Sequence, residues 1–155
     1  EMPTIGSMIK QYRLHGSNVV AVKEVSDSVV PFLGIVDGIP VSESEYVLSG
    51  MIEKPSLEAA PSNLAIIGRY VLSPKIFDFL EHVEPGAVGE IQLTDAIKVM
   101  MDSPGVRAYR FPGLHFDVGT PAGLLKASIN AALQRDEMKD DIVEWMKLAI
   151  AEHGD

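Results

Sequence analysis

The sequence predicts an α/β fold, and three observations carry that expectation. Apolar runs of strand length are interspersed with segments of helical spacing, an order that suits layers of strands and helices. Val19-Val20-Ala21-Val22 is apolar without a break, which suits a strand covered on both faces. Ser73-Pro74 and Thr120-Pro121 each place a capping hydroxyl before a proline at the first helical position.

The elements follow in order. Met8 to Leu14 reads as the end of a helix, with Met8, Ile9, Tyr12 and Leu14 apolar and Gly16 as its stop. Ser17 to Val25 is the first strand. Gly34-Ile35-Val36-Asp37-Gly38 is a short strand closing in a turn. Glu45 to Lys54 is a strand ending at Pro55, and Ser62 to Leu72 is another. Helices are predicted from Ser73-Pro74, with Ile76, Leu80 and Val83 on one face, and over Glu90 to Met101, with Leu93, Ile97 and Met100. Val106 to Phe111 is a strand. A helix runs from Thr120 to about Gln134, and a last one covers Glu137 to Glu152, with Met138, Ile142, Trp145 and Ala149 on one face. The first strand follows a helix with no strand before it. A doubly wound sheet normally begins with a strand, so the architecture is expected to be cut at its front. Val19 to Val25 is then expected to carry an unpaired edge that drives self-association.

Length and composition set the limits. A chain of 155 residues buries roughly 70% of its unfolded surface, enough for an ordinary core. At 46% hydrophobic and 23% charged residues, disorder is excluded as the main state. No apolar run reaches membrane-spanning length, and no signal peptide is visible. A net charge of −9 argues against nucleic-acid binding, which needs a basic footprint. The absence of cysteine excludes disulfides, thiol nucleophiles and Cys-ligated zinc, and is compatible with the cytoplasm.

Three segments can carry chemistry. Met51-Ile52-Glu53-Lys54-Pro55 ends an apolar strand in a charged pair, where ligands of α/β proteins sit. A carboxylate there can accept two sugar hydroxyls, and an ammonium can meet a phosphate. The plain alternative is an exposed ion pair before a turn. Pro61-Ser62-Asn63 turns the chain into a strand in which Gly68 marks close backbone approach or a bulge; plain sheet construction accounts for Arg69 and Tyr70. His115-Phe116-Asp117-Val118-Gly119-Thr120-Pro121 sets an acid before a glycine turn and a helix start. Asp117 can ligate a hard cation such as magnesium, or can simply be an acid favoured by the helix dipole. The four histidines show no ligand spacing and read as surface or structural residues.

Taken together and in this order, these segments resemble the bacterial UTP–glucose-1-phosphate uridylyltransferases of the sugar-nucleotidyltransferase superfamily. The matching residues are Gly34-Ile35-Val36, Glu53-Lys54-Pro55, the stretch from Pro61 to Leu72, Gly89-Glu90-Ile91-Gln92-Leu93-Thr94-Asp95-Ala96-Ile97, Phe116-Asp117-Val118-Gly119 and Leu125-Lys126-Ala127. The resemblance covers roughly the second half of such an enzyme, from about Ile9 to Leu133. It implies a Rossmann-like α/β fold with a mixed sheet and flanking helices, truncated on its N-terminal side. Residues 1–135 would be the C-terminal, sugar-binding portion and residues 136–155 a helix for packing or oligomer contact.

The implied reaction joins UTP and glucose 1-phosphate into UDP-glucose and pyrophosphate, with Mg2+ as cofactor. By motif position Gly34 would approach the glucose, Glu53 would hold its hydroxyls, Lys54 would meet the sugar-linked phosphate and Asp117 would ligate magnesium. The resemblance also implies a homo-oligomer. The family's Gly-x-Gly-Thr-Arg loop and its second magnesium aspartate have no counterpart here, so the chain alone is expected to be inactive. Phe32-Leu33 stands where a Tyr-Gly-Ile pattern is usual, and Val118 where cysteine is common. Two other readings stand beside this one: a thymidylyl- or other sugar nucleotidylyltransferase, and a non-catalytic binding or assembly module built on the apolar last helix.

Overall fold

Pro3 holds an extended backbone (φ −58°, ψ 148°), and α1 (Thr4–His15) begins directly after it in the computed structural model, which describes residues 2–84, 91–102 and 104–153. Met8 to Leu14 is thus the closing part of this helix, as its pattern predicts. It stops at Gly16, whose φ of 65° suits a residue without Cβ, and whose N–H donates to the Tyr12 carbonyl.

Five strands follow among the described residues: β1 (Asn18–Glu24), β2 (Gly34–Pro40), β3 (Glu45–Glu53), β4 (Leu64–Val71) and β5 (Val106–Arg110). They close on themselves in the order β1-β4-β2-β3-β5. β1 pairs with β5 in parallel, and the other pairings are antiparallel, so the sheet is mixed as expected. One expectation fails here. β1 has β4 on one side and β5 on the other, so it offers no unpaired edge for self-association.

The unbroken apolar run of β1 has a direct cause. Side chains alternate across a strand. Val20 and Val22 enter the main cluster with Val36, Met51, Ile97 and Met100. Val19 and Ala21 face the other way, against Met8 of α1. Both faces are covered, and Val19 to Val22 are fully buried.

Glycines shape two strands. β2 does not close at Gly38 but runs on to Pro40, with a register break between Asp37 and Gly38. A Cβ at Gly38 would stand 2.9 Å from the Val47 carbonyl oxygen and 2.8 Å from Leu48 Cδ2, so the two strands approach too closely for a side chain. Gly68 of β4, with φ 71°, lies opposite the register break between Val20 and Val22 and is a bulge.

The helices α2 (Ile76–Leu80) and α3 (Leu93–Val99) are shorter than their apolar patterns predict. After Ser73-Pro74 the first bonds span three residues, from Ile76 N to the Ser73 carbonyl (3.0 Å) and from Phe77 N to the Pro74 carbonyl (3.2 Å). This tight turn uses up the capping signal before α2 begins. Gln92 is extended, so α3 starts at Leu93, while Glu90 lies outside the described residues. Ile76, Ile97 and Met100 are nonetheless buried, as their spacing requires.

Asn18 pins these parts together. It is fully buried, and its Oδ1 accepts from Ser73 N at 2.7 Å while its Nδ2 donates to the Gly105 carbonyl at 3.3 Å. Asn18→Ala leaves the Ser73 N–H without its acceptor, takes one of two donors from the Gly105 carbonyl, which keeps the backbone N–H of residue 18, and opens a small void. An expected loss of about 2 kcal/mol follows from the cost of unmet polar groups. Urea unfolding of the 155-residue chain measures it; a loss below about 0.5 kcal/mol, the low end for one hydrogen bond, would remove this role.

By contact density the chain divides into Glu1–Pro112 and Gly113–Asp155. The second unit holds α4 (Pro121–Leu133) and α5 (Asp136–His153). Thr120 caps α4 as its sequence predicts, its hydroxyl accepting from Gly123 N at 3.1 Å with Pro121 opening the helix. Among the described residues no helix is long and apolar enough to cross a membrane.

Candidate functional site

The first strand of the hairpin begins where the second ends. β2 opens on Gly34, β3 closes on Glu53, and the two residues are register partners. Gly34 is buried, and a Cβ there would stand 2.9 Å from Glu53 Oε2 and 3.6 Å from Thr94 Oγ1. Position 34 therefore has no room for a side chain while the carboxylate keeps its place.

Glu53 is half-buried, and its Oε2 accepts a 2.7 Å hydrogen bond from the Thr94 hydroxyl. Thr94 is itself only 8% exposed. The plain alternative for Glu53-Lys54, an exposed ion pair, is not what forms. No ion pair joins these two side chains among the described residues, and the carboxylate is held from α3 instead.

Lys54 follows at once, and its backbone is unusual. Its φ is 47°, in the left-handed region that costs an L-residue about 1–2 kcal/mol. Its N–H donates to the Leu33 carbonyl at 3.1 Å, closing the chain back onto the residue before Gly34. The side chain is exposed. Gly34, Glu53 and Lys54, three candidates from the sequence, thus lie together at one end of the hairpin.

Tyr70 and Thr94 are members of this site to which the sequence reading gave no role. The Tyr70 phenol is raised above its usual pKa, first by burial and second by the negative charge of Glu53. Glu53→Gln removes the second cause only. The Tyr70 titration should move down yet stay above the ordinary tyrosine value, as an NMR pH titration of the ring would show. The sign of the linkage is also fixed. The folded state holds this proton more tightly than the unfolded state, so the contribution is complete below pH about 10 and is lost as pH rises through the folded pKa. An unmoved Tyr70 in Glu53→Gln would separate the two groups.

The Pro61-Ser62-Asn63 segment builds the sheet. The Ser62 hydroxyl donates to the Val36 carbonyl at 2.6 Å and accepts from Leu64 N at 3.0 Å, while the Asn63 carbonyl accepts from Val25 N at 3.0 Å.

Asp117 lies in the second unit, ahead of α4, and is exposed. Its Oδ1 accepts from Gly119 N at 3.0 Å, and its carbonyl accepts from the Thr120 hydroxyl at 3.2 Å. A Cβ at Gly123 would overlap the Asp117 carbonyl oxygen, so the loop rests directly on the first turn of α4. Capping is done by Thr120 and not by Asp117. Asp117 is thus a single exposed carboxylate, and among the described residues no group of three or more His, Cys, Asp or Glu side chains is placed to hold a metal ion.

Comparison with known proteins adds to this geometry. Residues 4–134 match the family described as "Nucleotidyl transferase". The UTP–glucose-1-phosphate uridylyltransferase of Staphylococcus haemolyticus (strain JCSC1435) is 43% identical over 147 residues, covering 95% of this chain and 51% of that protein. A solved UDP-glucose pyrophosphorylase complexed with UDP-glucose is similar with a TM-score of 0.79 and 37% identity, covering 84% of this chain and 50% of the other. A UTP-bound UGPase from Acinetobacter baumannii gives a TM-score of 0.80 at 34% identity, covering 94% of this chain and 52% of that one. The chain spans about half the length of the curated relatives it matches.

Proposed function

We propose, on the premise that this chain belongs to the nucleotidyl transferase family, that it is the sugar-phosphate-binding half of a UTP–glucose-1-phosphate uridylyltransferase. The observation that carries the reading is the convergence of Gly34, Glu53 and Lys54 at one end of a hairpin. Glu53 accepts hydroxyls of the glucose, which reaches it over the bare backbone of Gly34. Lys54 sets its ammonium against the sugar-linked phosphate. Asp117 is proposed as one magnesium ligand; the ion supplies charge neutralisation on phosphate oxygens.

The reaction is positioning plus neutralisation of charge. An oxygen of the glucose 1-phosphate attacks the α-phosphorus of UTP, forming the new P–O bond as the bond to pyrophosphate breaks. UDP-glucose and pyrophosphate leave, and no covalent enzyme intermediate is needed. Residues 1–135 are assigned to the sugar-binding portion and residues 136–155 to a helix for packing or oligomer contact. The cytoplasm is the proposed location.

A homo-oligomer belongs to the same proposal. Its support is not a free strand edge but α5, which buries none of its described side chains and exposes Trp145 and Leu148. Sedimentation showing a monomer at high micromolar concentration would contradict it.

Titration of the 155-residue chain with glucose 1-phosphate and with UDP-glucose, followed by NMR, tests the main reading. Specific shifts near Glu53 and Lys54 are expected; silence would favour the assembly module. The chain alone is also expected to release no pyrophosphate from UTP and glucose 1-phosphate, because it carries no Gly-x-Gly-Thr-Arg loop for the nucleotide phosphates.

A further inference from the structure

We infer that Thr94 is a positioning residue of the sugar site: its buried hydroxyl fixes the Glu53 carboxylate so that the remaining acceptor positions face the sugar. This rests on the reading of Glu53 as the group that holds sugar hydroxyls. Thr94 gives its proton to Glu53 Oε2 at 2.7 Å, across 41 residues of sequence. A carboxylate has about four lone-pair positions, so one bond leaves the others for ligand.

Three features make the contact directional. First, Thr94 is the second residue of α3, two positions after the extended Gln92, so its hydroxyl stands at the open start of the helix. Second, Thr94 is β-branched and only 8% exposed, which limits its χ1 choices. Third, Gly34 stands on the same oxygen: its Cβ would lie 2.9 Å from Glu53 Oε2 and 3.6 Å from Thr94 Oγ1. The hydroxyl therefore holds one oxygen over a position that must stay bare. An unanchored glutamate at a strand end would sample several rotamers and meet a sugar at an entropic cost.

Two substitutions separate positioning from packing. Thr94→Val keeps shape and branching but removes the hydroxyl. Thr94→Ser keeps the hydroxyl and removes a methyl. Each chain is titrated with glucose 1-phosphate and with methyl phosphate, which carries the phosphate without the sugar hydroxyls. The Tyr70 phenol titration is recorded in parallel, because the Glu53 charge acts on it.

Thr94→Val is expected to weaken glucose 1-phosphate by about tenfold, the size of one hydrogen bond to a charged group. Methyl phosphate should be unaffected, and the Tyr70 titration should move. Thr94→Ser should restore both towards wild type. Equal loss of both ligands, or an unmoved Tyr70 with glucose 1-phosphate binding intact, would overturn the positioning role. A wild-type chain that binds glucose 1-phosphate no better than methyl phosphate would overturn the sugar reading of Glu53 and the sugar form of this inference. A Tyr70 shift in Thr94→Val would even then support the anchoring of Glu53.

Discussion

Lys54→Asn is expected to lower turnover of the proposed complete uridylyltransferase by about 10²-fold or more, while leaving its thermal midpoint near wild type. Both halves of this result come from the same geometry. Lys54 sits at φ 47°, a conformation that asparagine accepts more readily than most residues. Its side chain is exposed, so little packing is lost. Its N–H bond to the Leu33 carbonyl survives any substitution except proline. What disappears is the ammonium. A hydrogen bond to a charged group contributes about 1.5–3 kcal/mol, or about 10- to 150-fold in rate at the usual conversion. In the transition state of the proposed reaction the attacking phosphate and the departing pyrophosphate would carry changing charge, so the upper end of that range is expected. Turnover and thermal unfolding on the same protein decide the matter. Retained turnover would remove Lys54 from the site. A large fall in stability with modest loss of activity would make the strained backbone, and not the charge, its reason for being there.

Much of the fold was legible because its signals are local. The run from Val19 to Val22 announced a strand buried on both faces, and Met8 on one side and Val36 on the other supply those faces. Thr120-Pro121 announced α4, and the cap bond to Gly123 N is present. The same signal misled at Ser73-Pro74, since a hydroxyl before proline also starts a three-residue turn, and α2 then needs only five residues to bury Ile76. Gly38 predicts a turn from sequence because glycine marks turns and bulges alike, and the distinction depends on how close Val47 comes. The occupied edges of β1 were out of reach, because one neighbour, β5, lies far along the chain.

The candidate site divides in the same way. Gly34, Glu53 and Lys54 belong to one hairpin, so motif and register place them together. Thr94 comes from α3, and nothing in its neighbourhood of sequence states that its hydroxyl will meet a carboxylate 41 residues away. Tyr70 enters through burial and charge, neither of which a strand pattern reveals. Part of the Gly89 to Ile97 motif, Gly89 and Glu90, lies outside the described residues.

Asp117→Asn supplies the second large effect. In the complete enzyme, activity is expected to fall by about 10²-fold or more, while stability changes by no more than a few tenths of a kcal/mol. Asparagine keeps an oxygen that can accept from Gly119 N, and the Asp117 carbonyl still receives the Thr120 hydroxyl, so the loop has no reason to move. The charge alone is lost. Magnesium is commonly held by one or two carboxylates and keeps several waters, so losing one carboxylate removes a large share of what holds it. The dipole alternative gives the opposite pattern: a stability loss of about 0.3–1 kcal/mol with activity kept. A magnesium titration of activity separates the remaining cases. Asp117→Asn should need far more magnesium for half-maximal turnover, whereas a residue that acts only on the helix would leave that concentration unchanged. Wild-type turnover at ordinary magnesium in Asp117→Asn would take Asp117 out of the metal site.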